Sequence, residues 1–275
     1  MPEDPQEKRG ANIFTRFGEQ LLVCRQETCS FIAFLGRAVY SVADAVRHPR
    51  KIRKRETLYY MNLCGADGLP ITALICFLTG VILAYQSAVQ MEKYGADGFL
   101  AGLVGCAMVR ELAPLMVAII ATGRAGSAFA AEIGSMKLSE EVDALRTMGF
   151  LPERFLFIPK LLAMITMMPL LAVVGDILGI LGGALIGLTV LDQTAGNYYS
   201  MTVSWVKPEY FMESIIKTAI FGMIITLVSC WRGFLTGKDA LAVGRSTTSS
   251  VVLSILFIII ADTILAHFFN TVFFD

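Results

Sequence analysis

Five long apolar segments alternate with short polar stretches along most of this chain. Each is close to or longer than the roughly 20 residues that a helix needs to cross a bilayer. The pattern predicts an all-α, polytopic membrane protein with about five transmembrane helices, near residues 66–89, 99–122, 155–190, 212–231 and 248–270. The third segment is long for a single crossing and contains Pro159 and Pro169, so it is either one kinked helix or two shorter ones.

A different periodicity precedes these segments, within residues 11–46. Apolar residues recur there at spacings of three and four along one helical face, and polar residues such as Arg16, Glu19 and Arg37 lie between them. We expect an amphipathic helix that is too polar to span and lies in the membrane interface. A helix packed against a partner protein is the alternative, and residues 1–10 are expected to be disordered.

The distribution of basic residues predicts the orientation. Lys and Arg concentrate in cytoplasmic loops. A basic run at residues 47–55 precedes the first span, and the loops 123–154 and 232–247 are also basic, whereas the intervening loops hold only Lys93 and Lys207. The N-terminus is therefore predicted to be cytoplasmic and the C-terminus to lie on the opposite face. The basic run can also contact anionic membrane lipids.

Composition narrows the functional classes. Apolar residues make up 55% of the 275 residues, and the formal net charge is zero, so nothing suggests a nucleic-acid partner. The six cysteines have no metal-ligand spacing, and the sequence has neither a phosphate-binding loop nor a catalytic signature. We therefore predict no metal, no cofactor and no catalytic residue. Any energy that the protein uses would come from a partner or an ion gradient.

A short polar helix is predicted in the cytoplasmic loop 123–154. Ser139 suits the N-cap, and Glu140, Glu141 and Asp143 follow in the first turn, where the helix dipole favours acids. Arg146 lies near the other end, and Gly149 suits the left-handed position that closes a helix. A polar helix at 139–149 has no membrane role of its own, which indicates a docking element; a solvated connector is the alternative.

The upstream half of the same loop is rich in small residues. Gly123, Gly126 and Gly134 stand among alanines, and small residues let helix backbones approach closely. We therefore expect this half of the loop to be packed. With Arg124 and Glu132, these glycines form the candidate set of loop-packing residues.

Two ionisable residues fall in the middle of the second apolar segment. Arg110 and Glu111 are costly at that depth unless they are paired or face a polar cavity. Neighbours on a helix point about 100° apart, so each needs a partner elsewhere. Pro114 leaves a backbone carbonyl free nearby. An interhelical ion pair and a substrate-binding role both remain open, and Asp176 and Asp262 are expected to pair with an arginine or with hydroxyls such as Thr166 or Thr263.

The stretch GRAGSAFAAEIGSMKLSEEVDALRTMG at 123–149 resembles the signature of MlaE-type permeases, the membrane subunits of ABC transporters that work with MCE-domain proteins. Arg110-Glu111-Leu112-Ala113-Pro114, the segment 176–183 and the segment 243–252 extend the resemblance over most of the chain beyond the basic run. The sequence departs from the family pattern at 238–242 and 261–265.

This resemblance implies a permease domain at 47–275 that forms a homodimer in the inner membrane, with a periplasmic C-terminus. It implies a cytoplasmic ABC ATPase that grips the 139–149 helix, a periplasmic MCE-domain protein and often a STAS-domain protein. The expected cargo is phospholipid or a related lipid, moved between the inner membrane and the outer envelope. Arg110 and Glu111 would lie at the lipid cavity. The alternative is a stand-alone proton-coupled transporter using Glu111, Asp176 and Asp262, which leaves the docking helix unexplained.

Overall fold

The computed structural model describes residues 13–48, 53–93, 95, 97–191, 193–237 and 239–274. The predicted disorder of residues 1–10 and part of the basic run lie outside these ranges. The described residues contain no β-strand, which confirms the all-α prediction. Their α-helices are α1 Ile13–Arg47, α2 Lys54–Met61, α3 Leu69–Glu92, α4 Leu100–Ala107, α5 Ala113–Ala121, α6 Ser127–Leu138, α7 Glu141–Thr147, α8 Ile158–Thr189, α9 Ala195–Trp205, α10 Pro208–Phe234 and α11 Ala240–Phe274.

Six helical stretches in the described part of the chain are long and apolar enough to cross a membrane: Arg25–Arg47, Lys54–Met91, Leu100–Leu138, Glu153–Thr189, Pro208–Phe234 and Ala240–Thr271. Five of them coincide with the predicted spans to within one residue or extend beyond them, and α8 is a single helix that continues through Pro169. The sixth is the second half of α1, so the prediction that α1 is too polar to span is wrong by length and composition. Its interfacial placement stays a prediction.

The helical stretch that corresponds to the second predicted span is much longer than that span. Helices α4, α5 and α6 follow one another through π-helical turns at Met108–Leu112 and Thr122–Gly126, and together they form a rod from Leu100 to Leu138. The prediction of a loop beginning at residue 123 is therefore wrong. Glycine disfavours a helix and alanine favours one, so the local sequence does not show whether the helix ends near residue 123. Packing against α10 decides that this segment is helical.

Glycines allow the core helices α3 and α8 to approach closely. A Cβ atom on Gly80 would overlap the backbone of Gly179, and one on Gly182 would lie 3.0 Å from the Val81 amide nitrogen. Because membrane helices gain most from close van der Waals packing, these positions hold the bundle together. Helix α8 is thereby held at the centre, with α10 packed on it through Gly222.

Helix α1 lies against the ends of two core helices. Phe157 and Ile158, at the start of α8, share a buried cluster with Trp231 at the end of α10, so these two ends lie side by side. Phe34 and Ala38 of α1 belong to the same cluster. Salt bridges join α1 to both ends through Arg37–Glu153 at 2.9 Å, Glu27–Arg232 at 3.1 Å and Asp44–Arg154.

Candidate functional site

A proline interrupts the helical hydrogen bonding in the middle of the second span. Pro114 has no N–H group, so it cannot bond the Arg110 carbonyl one turn earlier. The Nζ atom of Lys217, on α10, donates a hydrogen bond of 2.9 Å to this carbonyl. The acceptor is thus used by a lysine that the sequence analysis did not single out.

Lys217 is the centre of a buried ionic network. Its side chain is 0% exposed, and its Nζ lies 2.9 Å from Glu111, 3.1 Å from Glu213 and 3.6 Å from Asp262. These acids come from α10, from α11 and from the π-helical turn between α4 and α5. The cation therefore joins the three helical segments at one point. Among the described residues, no group of three or more His, Cys, Asp and Glu side chains could hold a metal ion.

Arg110 extends this network toward the last helix. Its Nε lies 3.2 Å from Glu213, and its Nη2 donates a 2.6 Å hydrogen bond to Asn270. The guanidinium carbon lies 5.1 Å from the ring centre of Tyr210, close enough for a cation–π contact. Arg110 and Glu111 thus take their partners from other helices, as predicted. Asp176 pairs with a hydroxyl as predicted, but the hydroxyl is that of Ser214, at 3.0 Å. Asp262 pairs with Lys217, and not with an arginine or a hydroxyl as predicted.

An open cavity of about 600 Å³ borders the network. Arg110, Glu111 and Asn270 form its polar side, and Leu103 and Trp205 contribute apolar surface. A cation beside an apolar wall suits a ligand with an anionic head and a hydrocarbon body. The cavity therefore places the Arg110 cation and the Glu111 carboxylate beside an apolar wall, next to the buried network.

The polar helix α7 forms at Glu141–Thr147, within the predicted range. Gly149 adopts a left-handed conformation with φ of 79°, its N–H bonds the Arg146 carbonyl, and the Phe150 N–H bonds the Leu145 carbonyl. This Schellman closure confirms the role predicted for Gly149. The predicted N-cap is wrong. Ser139 instead ends α6, and its hydroxyl bonds the Ser135 carbonyl because α6 extends further than expected.

Helix α7 has a buried and an exposed face. Val142 is 2% exposed and packs with Leu145 and Leu156, which fixes the helix on the protein. The predicted docking residues Glu140, Glu141, Asp143 and Arg146 are all exposed. Glu140 has a positive φ of 60°, a conformation that few residues other than glycine adopt. A rigidly held acidic surface therefore faces away from the body.

The candidate packing residues divide into two groups. Gly126 and Gly134 are buried, and a Cβ atom on them would lie 3.0 Å from the Ser229 hydroxyl and 2.9 Å from the Thr236 hydroxyl. A Cβ atom on Gly123 would meet no other atom within 4 Å, so its predicted packing role is wrong. It lies on the outer side of the helix, where Arg124 forms a 3.5 Å surface ion pair with Asp67.

Glu132 belongs to a second buried network. Its Oε1 accepts a 2.5 Å hydrogen bond from Tyr60 and lies 3.1 Å from Lys160, which is 0% exposed. Lys160 also donates a 2.8 Å hydrogen bond to the Tyr60 hydroxyl. These three side chains connect α2, α6 and α8 close to the end of the rod that carries α7.

Sequence reasoning missed Glu213 and Lys217, which complete the central network. Both lie in a segment whose composition indicates only an apolar span. Their spacing of four residues places them on one face of a helix, and an ion pair at that spacing inside a span is the signal that could have found them. Lys160 is also missed, because its position beside a basic loop indicates a cytoplasmic charge, whereas the side chain is fully buried.

The bundle of membrane-length helices with its buried ionic network is that of a multi-pass α-helical membrane protein. The family model described as Permease MlaE matches residues 57–268, and the chain belongs to this family. A probable ABC transporter permease protein of Rickettsia felis is 34% identical over 260 residues, covering 94% of this chain and 98% of that protein. The chain is accordingly an ABC transporter permease subunit and a multi-pass inner-membrane protein.

Two further relatives carry more specific names. The intermembrane phospholipid transport system permease protein MlaE of Haemophilus influenzae is 30% identical over 257 residues, covering 92% of this chain and 96% of that protein. The chloroplastic protein TRIGALACTOSYLDIACYLGLYCEROL 1 of Arabidopsis thaliana is 33% identical over 219 residues, covering 80% of this chain and 63% of that protein.

Proposed function

We propose that this permease moves phospholipid, or a related lipid, between the inner membrane and the outer envelope, with ATP hydrolysed by a separate cytoplasmic ATPase. The observation that carries the proposal is the Lys217 network beside an amphipathic cavity. Arg110 at the cavity can bind a lipid phosphate by charge-assisted hydrogen bonds. The name of the Haemophilus relative, a phospholipid transport permease, supports the same cargo.

The rod from Leu100 to Leu138 supports coupling to an ATPase. It carries Arg110 and Glu111 in its middle and leads directly into α7 at its cytoplasmic end. The exposed acids of α7 are the proposed ATPase contact, and its buried face transmits movement to the body. A stand-alone proton-coupled transporter would have no use for this exposed helix.

An exposed surface of the last helix is available for further partners. Helix α11 exposes a long apolar surface that includes Val252, Ile259 and Ile264, which suits a second copy of the chain or membrane lipid. We propose a homodimer, a periplasmic MCE-domain protein and a STAS-domain protein bound to the ATPase. The proposed orientation places the N-terminus in the cytoplasm and the C-terminus in the periplasm.

The test is crosslinking of a photoactivatable phospholipid to the transporter in membranes. We expect Arg110→Ala to reduce crosslinking roughly 10-fold or more, because a hydrogen bond to a charged group contributes on the order of 1.5–3 kcal/mol. Glu111→Ala should also reduce crosslinking, since it removes a partner that holds Lys217.

Lys207→Ala is the matched control. Lys207 is exposed just before α10, so its loss changes the charge nearby and leaves the cavity intact. Size-exclusion profiles identify variants that fail to fold. Wild-type crosslinking by folded Arg110→Ala and Glu111→Ala proteins would rule out a lipid site at this network.

A further inference from the structure

A second cavity, of about 480 Å³, lies where the chain returns from α7 to the membrane. Its apolar lining includes Phe150, Leu151, Phe155 and Ile158, and Arg53 and Arg154 are its basic residues. The volume falls within the roughly 300–1,000 Å³ of typical ligand sites. We refer to it as the basic cavity.

The two arginines are held in place by neighbours from three segments. The guanidinium of Arg53 lies 4.2 Å from the ring centre of Phe155, and Arg53 also pairs with Glu56. Arg154 pairs with Asp44 of α1. A guanidinium has five N–H donors in a planar fork, so an arginine that binds one carboxylate can bind a phosphate as well.

The surroundings of the basic cavity are those of a membrane–water boundary. Phe150 is 53% exposed and Leu151 is 49% exposed, although both are large and apolar. The apolar helix α8 begins directly beside them at Ile158, and the exposed basic residues Lys54 and Arg55 follow Arg53. Apolar and basic side chains together at such a boundary attract anionic lipids.

The basic cavity is distinct from the lipid cavity proposed above. Ile158 lies in one cluster with Trp231, near the end of α10, whereas the ionic network uses Lys217. These two levels of α10 are separated by 14 residues, or roughly 20 Å along the helix. The basic cavity therefore lies on the side that carries α7, which the proposed orientation makes cytoplasmic.

We infer that the basic cavity binds an anionic phospholipid of the cytoplasmic leaflet. The phosphate lies at Arg53 and Arg154, and the start of an acyl chain lies against Phe150, Leu151 and Ile158. The bound lipid contacts the residues that follow Gly149 and so steadies the segment that joins α7 to α8. The stability of the segment that holds α7 would then depend on how much anionic lipid the membrane contains.

The test is native mass spectrometry of the full-length protein in detergent, titrated with phosphatidylglycerol or phosphatidylcholine. We expect retention of phosphatidylglycerol over phosphatidylcholine, and about 5-fold weaker retention in Arg53→Gln and in Arg154→Gln. Arg55→Gln is the matched control, because Arg55 is exposed two residues away and does not line the basic cavity. Equal retention of both lipids, or an equal loss in Arg55→Gln, would overturn the inference.

Two additions keep the test decisive. Arg154→Gln removes a salt bridge to α1 and could weaken the fold, so Arg53→Gln, at an exposed position, carries the result on its own. A photocrosslinking residue at Leu151 should join to phosphatidylglycerol in the assembled transporter. Crosslinks to protein alone would show that no lipid lies there. Complete displacement of phosphatidylglycerol by millimolar inorganic phosphate would show a site for the phosphate group only, and would also overturn the inference.

Discussion

Lys217 is a fully buried cation that contacts three carboxylates and one backbone carbonyl. In a span, an isolated charge of either sign is costly, so the lysine and its acids stabilise one another only as a set. Glu213 is almost fully buried, whereas Glu111 is partly exposed toward the cavity. The buried members hold the helices together, and the exposed members are available to a ligand.

Removing Lys217 should therefore destabilise the protein itself. Breaking a buried ion pair costs on the order of 3–5 kcal/mol, so we expect Lys217→Met to lower the unfolding temperature by roughly 5–15 °C. Adding Glu213→Gln should recover part of this loss, because the double variant no longer buries that carboxylate without its cation. Thermal unfolding in detergent measures both effects.

Lys207→Met is the control for this substitution, since Lys207 is an exposed lysine near the start of the same helix. It should unfold at the wild-type temperature. An unchanged unfolding temperature in Lys217→Met would mean that the lysine does not stabilise the fold.

At the scale of single elements, α7 combines a fixed position with an exposed charge pattern. Val142 and Leu145 attach it to the body, and Gly149 closes it. Its acids face outward in the first turn, where the helix dipole is positive. Their negative charge at this end stabilises the short helix. These features allow α7 to keep its shape while another protein pushes on it.

Charge reversal on α7 tests the proposed ATPase contact. We expect the triple substitution of Glu140, Glu141 and Asp143 by Lys to abolish co-purification of the ATPase, because like charges replace complementary ones across the interface. Membrane insertion should be unaffected, since the buried residues of α7 are unchanged. Co-purification from membranes, quantified against the permease, gives the measurement.

Asp239→Lys provides the comparison, because Asp239 is an exposed acid in the loop between α10 and α11. It should retain the ATPase. If the triple variant retains the ATPase equally well, α7 is not the docking helix.

At the scale of the whole molecule, α1 decides the topology. It contacts Arg232 through Glu27 and Arg154 through Asp44, and these arginines lie at the adjoining ends of α10 and α8. The two acids are 17 residues apart, or about 25 Å along a helix. A helix that crossed the bilayer would leave the level of these ends over that distance. From these contacts we predict an interfacial α1 and five spans.

Reporter fusions distinguish five spans from six. With α1 in the interface, green fluorescent protein at the N-terminus should fluoresce and alkaline phosphatase at the C-terminus should be active, because the termini lie on opposite faces. A C-terminal fluorescent fusion should be dark. An N-terminal fusion that is dark beside an active C-terminal phosphatase would show that α1 crosses the membrane.

The sequence is sufficient for features that depend on composition and local chemistry. Apolar length locates the spans, and the position of Gly149 predicts the end of α7. The sequence is insufficient where contacts between distant segments decide which side chains meet and where a helix ends. Lys217 and Arg110 are 107 residues apart, so no local pattern relates them. The sequence places Ser139 in the wrong helix because α6 extends further than expected. Gly126 packs against α10, and Gly134 packs against Thr236 and Val243, contacts that a single sequence does not reveal.

The two π-helical turns in the rod from Leu100 to Leu138 set the direction in which its side chains point. Each turn accommodates one more residue than an α-helical turn, and one residue corresponds to about 100° around the axis. Deleting one residue from α5, the α-helical part between the two turns, would shorten the rod by only about 1.5 Å. It would also swing Glu132 away from Lys160 and redirect α7 relative to Arg110. The rotation of side chains about the axis of the rod, more than its length, therefore fixes how the docking helix is oriented relative to the ionic network.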